Sequence, residues 1–280
     1  MEGAAEIQYR VPWRAGSCYP GSHPGTQRGG GYEIHGITPF YVAGDPRRFD
    51  VRASLRDPFG QLLVRVYKQR STVPVHVLAD VSASMSFVGS TCKFDLLREF
   101  VGSLAYSASR AGDPFAFTAC DSQVQDELCL LPTRAPGAGQ AIVERLRRWA
   151  PTGTDAHGLL AGAERVSGTR ALVFLVSDFY LPLDLLREIL GRLTRHMVVP
   201  VVLVDSAEER VPGTGIAYLY DPESGARRTV VLRRSLAERL ENKMRDHRDR
   251  LRRCLADFDL RPLPLVDKFE PEAVSRYFYE

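Results

Sequence analysis

The sequence predicts an open α/β fold: a mainly parallel sheet with helices on both faces, plus an irregular, partly β N-terminal extension. Three observations carry this. Val75–Asp80, Ala171–Asp178 and Met197–Val204 are apolar runs of strand length, the pattern of strands buried on both faces. Between such runs, apolar residues recur at helical spacing, as at Leu97, Phe100, Val101, Leu104 and Ala108, so strands are joined by helix-sized crossovers. Runs of this kind end in carboxylates, at Asp80 and Asp178, and ligands of open α/β sheets bind at the carboxyl ends of strands.

The extension is residues 1–72 and the main domain residues 73–280, a length that can bury a substantial core. Within the extension, Gly29-Gly30-Gly31 and nearby prolines make Ser17–Gly36 a loop or an extended arm, and Leu62–Tyr67 a strand. Its arginines read as a basic surface paired with Asp45, Asp50 and Asp57, or as a docking surface for an acidic partner. Pro114–Cys120 and Gln123–Leu131 are two strands joined tightly around Asp121-Ser122. Ala141–Trp149 is a helix with Ile142, Val143, Leu146 and Trp149 inward. The turn Pro151–Asp155 opens another, with Leu159, Leu160, Ala163 and Val166 on one face. After the strand ending at Asp178 come a helix over Asp184–His196 and a strand reaching Asp205. A hairpin, Gly215–Asp221 with Arg228–Leu232, precedes a long helix over Ser235–Phe258, an edge strand Leu260–Val266 and a closing helix Pro271–Tyr279.

Composition is that of an ordinary globular protein, with 44% apolar and 25% charged residues. A net charge of +3 is too small to argue for nucleic acid, and basic residues are written as arginine far more often than lysine. The dispersed cysteines (Cys18, Cys92, Cys120, Cys129, Cys254) include no CxxC pair and read as reduced rather than as a disulfide framework. Met1–Gly16 lacks the apolar core of a signal peptide, and the greasiest stretches are far short of a membrane span, so a soluble, cytoplasmic protein is expected.

The run Asp80-Val81-Ser82-Ala83-Ser84 places a carboxylate at a strand end and two hydroxyls at alternate positions, which point the same way in extended chain. Such a donor set suits a hard divalent cation, and Mg²⁺ in particular, which keeps waters and takes few carboxylates. Read alone, the run fits an ordinary polar strand exit equally well. Thr154, in the Pro151–Asp155 turn, and Asp178, at the second strand end, add a third hydroxyl and a second carboxylate, with Thr152 the other threonine of that turn. His157 stands close after it.

The order DxSxS, loop threonine, strand-end aspartate resembles the metal-ion-dependent adhesion site (MIDAS) of von Willebrand factor A (vWA) domains, a Rossmann-type fold. The resemblance implies that Ser82, Ser84 and Thr154 lend hydroxyl oxygens, and that Asp80 and Asp178 bind Mg²⁺ (or Mn²⁺ or Ca²⁺) directly or through water. One position would stay open for a carboxylate from a partner. The segment HGITPFYVAGDPRRFDVRASLRDPFGQLLVRVYKQR, running on into VHVLADVSASM, is similar to a bacterial family of vWA-like proteins commonly encoded beside MoxR-type AAA+ ATPases. It keeps that family's Gly44, Asp45, Arg47, Arg48 and Asp50, with Val51 where tryptophan is usual and Lys68-Gln69-Arg70 where glutamates are usual. The short form without membrane helices looks most like the MxaS-type proteins encoded with methanol dehydrogenase. That likeness implies a non-enzymatic adaptor working with the ATPase on assembly, activation or metal loading of an enzyme complex. No phosphate loop, dinucleotide fingerprint, His-Glu-x-x-His or Gly-x-Ser-x-Gly is present. The competing reading is a metal-dependent phosphohydrolase with Asp80 as nucleophile or ligand, although no second aspartate follows two residues later.

Overall fold

A computed structural model describes residues 6–17, 19–29, 33–43, 45–166, 168–208, 215–220, 227–232 and 234–280. It forms two compact units: Arg10–Val73 with Ala111–Asp113, and Pro74–Arg110 with Pro114–Glu280 and the described part of Met1–Tyr9.

The smaller unit is a three-stranded antiparallel sheet of β1 (Pro20–Gly29), β2 (Glu33–Pro39) and β3 (Leu63–Ser71), in the order β1-β3-β2. Ser17–Gly36 is therefore not a loop or free arm, because it supplies β1 and begins β2. Its prolines and glycines are tolerated because β1 is an edge strand with irregular register, Pro20 and His23 both lying opposite Ser71. Two short helices, α1 (Phe40–Ala43) and α2 (Val51–Arg56), join β2 to β3. Asp50 caps α2 by accepting from the Ala53 amide at 2.9 Å and from Arg65 Nε at 2.7 Å, in that order of effect, which lowers its pKa. Asp45 pairs with Arg48, whereas Asp57 accepts from the backbone amides of Phe59 and Gln61. Buried Asp113 joins the unit's ends, meeting His23 Nε2 at 2.7 Å and the Val73 amide at 2.8 Å.

In the larger unit the chain runs β4 (Val75–Asp80), α3 (Lys93–Ala111), β5 (Phe115–Cys120), β6 (Leu130–Thr133), α4 (Ala138–Arg148), α5 (Gly158–Arg165), β7 (Leu172–Ser177), α6 (Leu183–Arg192) and β8 (Met197–Val204). It continues with β9 (Gly215–Tyr220), β10 (Arg227–Leu232), α7 (Arg234–Ala256), β11 (Leu263–Val266) and α8 (Pro271–Tyr277). Six strands form one sheet in the order β11-β8-β7-β4-β5-β6, parallel except for β6. From β4 the chain goes first to β5 on one side and later to β7 on the other. The order thus reverses at β4, which opens a crevice at its carboxyl end.

Alternation along β7 divides the core. Val173 and Leu175 pack with Leu159 and Ala163 of α5, Leu186 and Ile189 of α6, and Leu251 and Leu255 of α7. Phe174 points the other way, edge-on to Phe100 of α3 at 5.4 Å and to Phe278 at 6.1 Å. The sheet thus carries helices on both faces, as expected. The expected strand Gln123–Leu131 is interrupted: Val124 bridges Cys120 at the end of β5, a 3-10 turn over Asp126–Leu128 follows, and Leu130–Thr133 then pairs with β5. β9 and β10 pair as the expected hairpin, whose turn Pro222–Gly225 lies outside the described residues. Leu263–Val266 is the sheet's edge strand, as expected. Among the described residues no helix is long and apolar enough to cross a membrane.

Within β4, His76 is buried, and burial, with repulsion from His196 second, lowers its pKa from 6.5 to about 4. A base with a depressed pKa contributes its full stability above the unfolded value and loses it as pH falls through the folded value, here between 6.5 and about 4. Denaturation at pH 7 and pH 4 should therefore show a loss in the wild type, relative to a His76→Leu variant, of about 3 kcal/mol. Identical pH dependence in the two proteins would refute a buried neutral imidazole.

Candidate metal centre

Four adjacent parallel strands each deliver an aspartate to the same edge: Asp121 after β5, Asp80 ending β4, Asp178 after β7 and Asp205 after β8. All four are buried. What separates them is the chemistry of their partners.

Asp80 is 2% exposed. Because Ala79 is registered with Val176, Asp80 emerges beside Ser177, whose hydroxyl donates to its Oδ2 at 2.8 Å. Oδ1 accepts from the Ser82 amide at 2.9 Å, which starts the 3-10 turn Ala83–Ser86 and brings the Ser82 and Ser84 hydroxyls within 3.2 Å of each other. Among the described residues only neutral groups donate to this carboxylate. Burial first and the charge of Asp178 second raise its pKa from 3.8 to about 7, against the hydrogen bonds from Ser82 and Ser177.

Asp121 serves the threonine loop. It accepts from Gln125 Nε2 at 2.7 Å and from the Gln123 amide at 3.0 Å, and its carbonyl takes the Gly158 amide at 2.8 Å. Gly153 packs against it so closely that a Cβ there would lie 2.3 Å from the Asp121 Cβ. Gly153 also bridges Ser82, and its carbonyl accepts from the Ala83 amide at 2.8 Å. The loop is thereby fastened directly to the DxSxS turn. Thr154, one residue on, is exposed, as is Thr152. The Asp155 carboxylate beside Thr154 has a lowered pKa, through the His157 amide first and then the His157 ring and the Thr154 hydroxyl. His157 is exposed and pairs with Asp155.

Asp178 is bound differently. Its Oδ1 accepts from the Tyr180 amide at 3.2 Å, and its Oδ2 meets Lys93 Nζ at 3.0 Å. Phe179 between them has φ +58°, a left-handed conformation uncommon outside glycine, and its side chain is fully buried. Lys93, the first residue of α3, is 0% exposed and also meets Glu208 Oε1 at 2.7 Å. Its Nζ lies 5.8 Å from the Phe87 ring centroid and 5.6 Å from that of Tyr180. Burial works against this ammonium, but Asp178 and Glu208 outweigh it and its pKa is raised. Burial also raises the pKa of Glu208, in spite of Lys93.

Asp205, fully buried, accepts from the amides of Gly89 at 2.8 Å, Ser90 at 2.9 Å, Thr91 at 3.2 Å and Ala207 at 2.8 Å. Burial opposes its charge, and those amides overcome it, lowering the pKa. A Cβ at Gly89 would sit 2.6 Å from the Ala207 Cβ, so glycine is required there.

The structure thus joins Asp80, Ser82 and Ser84 in one turn, fastens the Thr154 loop to that turn through Gly153, and brings Asp178 to the neighbouring strand end. Ser177, Lys93, Glu208, Asp121 and Asp205 were not singled out as site residues by the sequence. One signal was available for Lys93, since lysine occupies only four positions among 37 basic residues. Among the described residues no group of three or more His, Cys, Asp or Glu could hold a metal ion. The candidate donors are instead hydroxyls with few carboxylates. Asp80, buried with no cationic partner among the described residues, and the two serines beside it fit a hard cation.

A mainly parallel sheet of this order, with DxSxS at the end of its central strand, defines a vWA-like α/β protein. The chain belongs to the family described as Protein of unknown function DUF58, which matches residues 40–250. A Paracoccus denitrificans relative named "Uncharacterized protein in moxR 3'region" is 41% identical over 97 residues, 34% of this chain and 92% of that protein. Among solved structures, the conserved hypothetical protein BatB from Bacteroides thetaiotaomicron is similar with a TM-score of 0.45 and 14% identity, over 74% of this chain and 97% of that one. Proximal thread matrix protein 1 from the mussel byssus, solved with a zinc-occupied MIDAS motif, has a TM-score of 0.35 and 16% identity, over 47% of this chain and 38% of that one.

An acid whose folded pKa is raised weakens the fold as pH rises through the interval, here from 3.8 to about 7, because the folded chain holds the proton more tightly. In chelator-treated protein, Asp80→Asn should therefore be more stable than wild type above pH 7, the advantage closing towards pH 4. Thermal melts across that range decide it, and a variant no more stable at pH 8 would contradict the isolation of this carboxylate.

Proposed function

We propose that this chain is a non-enzymatic vWA-like adaptor that binds a divalent cation, Mg²⁺ or in its place Mn²⁺ or Ca²⁺, and a partner protein. The observation that carries the reading is the joining of the DxSxS turn to the threonine loop by the Ser82–Gly153 bridge, beside a buried Asp80 that has no cationic partner among the described residues. Asp80, Ser82 and Ser84 would hold the ion, with Thr154 and Asp178 completing the set from the adjoining loop and strand. When bound, the ion supplies positive charge and an open coordination position for an Asp or Glu of the partner.

The name of the Paracoccus relative supports a MoxR-type AAA+ ATPase as the partner. The work is then assembly, activation or metal loading of an enzyme complex in the cytoplasm, with methanol dehydrogenase the client for an MxaS-like member. Phosphoester hydrolysis by Asp80 has less support. Position 82 is a serine, so no second aspartate stands two residues after Asp80 to act as acid and base beside a nucleophile.

Isothermal titration of Mg²⁺ or Mn²⁺ into the full-length, metal-free chain tests the reading. Binding should be lost in Asp80→Ala, weakened roughly tenfold or more in Ser82→Ala, and stronger at pH 8 than at pH 6, where Asp80 is protonated. Association with the co-encoded ATPase should require the ion and fail in the same variants. Unaltered uptake by Asp80→Ala would refute the site.

A further inference from the structure

A lysine that opens a helix normally reaches into water, and in this chain the surface cations are overwhelmingly arginines. Lys93 does the opposite: it is completely buried. A buried ammonium is tolerated when carboxylates and ring faces surround it, and Asp178, Glu208, Phe87 and Tyr180 supply them. The placement has a consequence for the neighbouring carboxylates. Asp178 Oδ2 already carries a cation, whereas Asp80, on the adjacent strand end, has only neutral donors among the described residues.

Resting on the metal reading above, we infer that Lys93 is a resident cation of this site. It holds Asp178 and Glu208 while the divalent ion is away, and the ion enters against its charge. A buried ammonium within hydrogen-bonding distance of one candidate ligand repels any ion that reaches the other donors, and low local dielectric strengthens that repulsion. The site therefore binds a divalent ion weakly by itself, and firmly when a partner's carboxylate adds the negative charge that offsets Lys93. Ion binding and partner binding become one event. Glu208 tunes the balance: its side chain, 19% exposed, lies against the ammonium and compensates it from the solvent side.

Mn²⁺ alone is the probe. It is titrated calorimetrically into full-length, metal-free wild type, Lys93→Met and Glu208→Gln, with circular dichroism to check the fold. Lys93→Met removes the competing charge and should bind Mn²⁺ at least tenfold more tightly, about 1.4 kcal/mol. Glu208→Gln leaves the ammonium less compensated and should bind at least roughly threefold more weakly. A purely structural Lys93 would lower the melting temperature without raising affinity. Should Lys93→Met not fold without metal, the Glu208→Gln result still decides, because that partly exposed position keeps Lys93 paired with Asp178. Folded Lys93→Met binding no more tightly than wild type, or Glu208→Gln binding as tightly as wild type, overturns the inference. Two failures are distinguishable. Uptake in wild type that is lost in Asp80→Ala but indifferent to Lys93 and Glu208 defeats the resident cation alone. Absence of uptake in every variant defeats the metal reading and the inference with it. Uptake by Lys93→Met but not by wild type supports both.

Discussion

The carboxylate of Asp80 is removed from water at the end of the central strand, and among the described residues no positive charge is paired with it. A serine hydroxyl and a backbone amide hold its oxygens in place, but neither neutralises it. That unmet charge is the constraint on which the edge of the sheet depends. The three aspartates beside it have been given other answers. Asp205 is wrapped by backbone amides, Asp121 by amides and a glutamine, and Asp178 by an ammonium. Four residues of one type, delivered by four parallel strands to one edge, thus divide into two that hold loops, one that holds a cation of the chain itself, and one that is left to take a proton or an ion.

This division explains why most of the frame was legible in the sequence and much of the chemistry was not. Strands β4, β7 and β8 are covered on both faces, so they are written as unbroken apolar runs that announce themselves. The DxSxS donors were legible as residue types, but the extended chain expected for them was not found: Ser84 lies in the 3-10 turn Ala83–Ser86, and that turn brings the two hydroxyls together. By contrast, Lys93 and Asp178 are 85 positions apart, and nothing local in either segment marks the pairing. The scarcity of lysine, at four positions in an arginine-rich chain, was the available hint. The loop threonine was expected from its place in a turn, whereas the residue that ties that turn to Ser82 is Gly153, whose role depends on Asp121 lying against it.

The N-terminal region failed to reveal its sheet for a different reason. Glycine and proline are strong loop signals when a strand must be paired on both sides. β1 is paired only to β3, with bulges, so an edge strand can carry residues that would break a central one. Similarly, the strand expected after β5 was cut short by a 3-10 turn beside the loop that Asp121 gathers around its own carboxylate.

The clasp made by Asp205 has a mechanical side. By gripping the amides of Gly89, Ser90 and Thr91, it welds the segment after β8 to the segment that leads into α3. Glu208 stands at one end of this weld and Lys93 at the other, and they meet again as an ion pair. A displacement of the Ser206–Glu208 segment is therefore also a displacement of the first turn of α3, and of the lysine that touches Asp178.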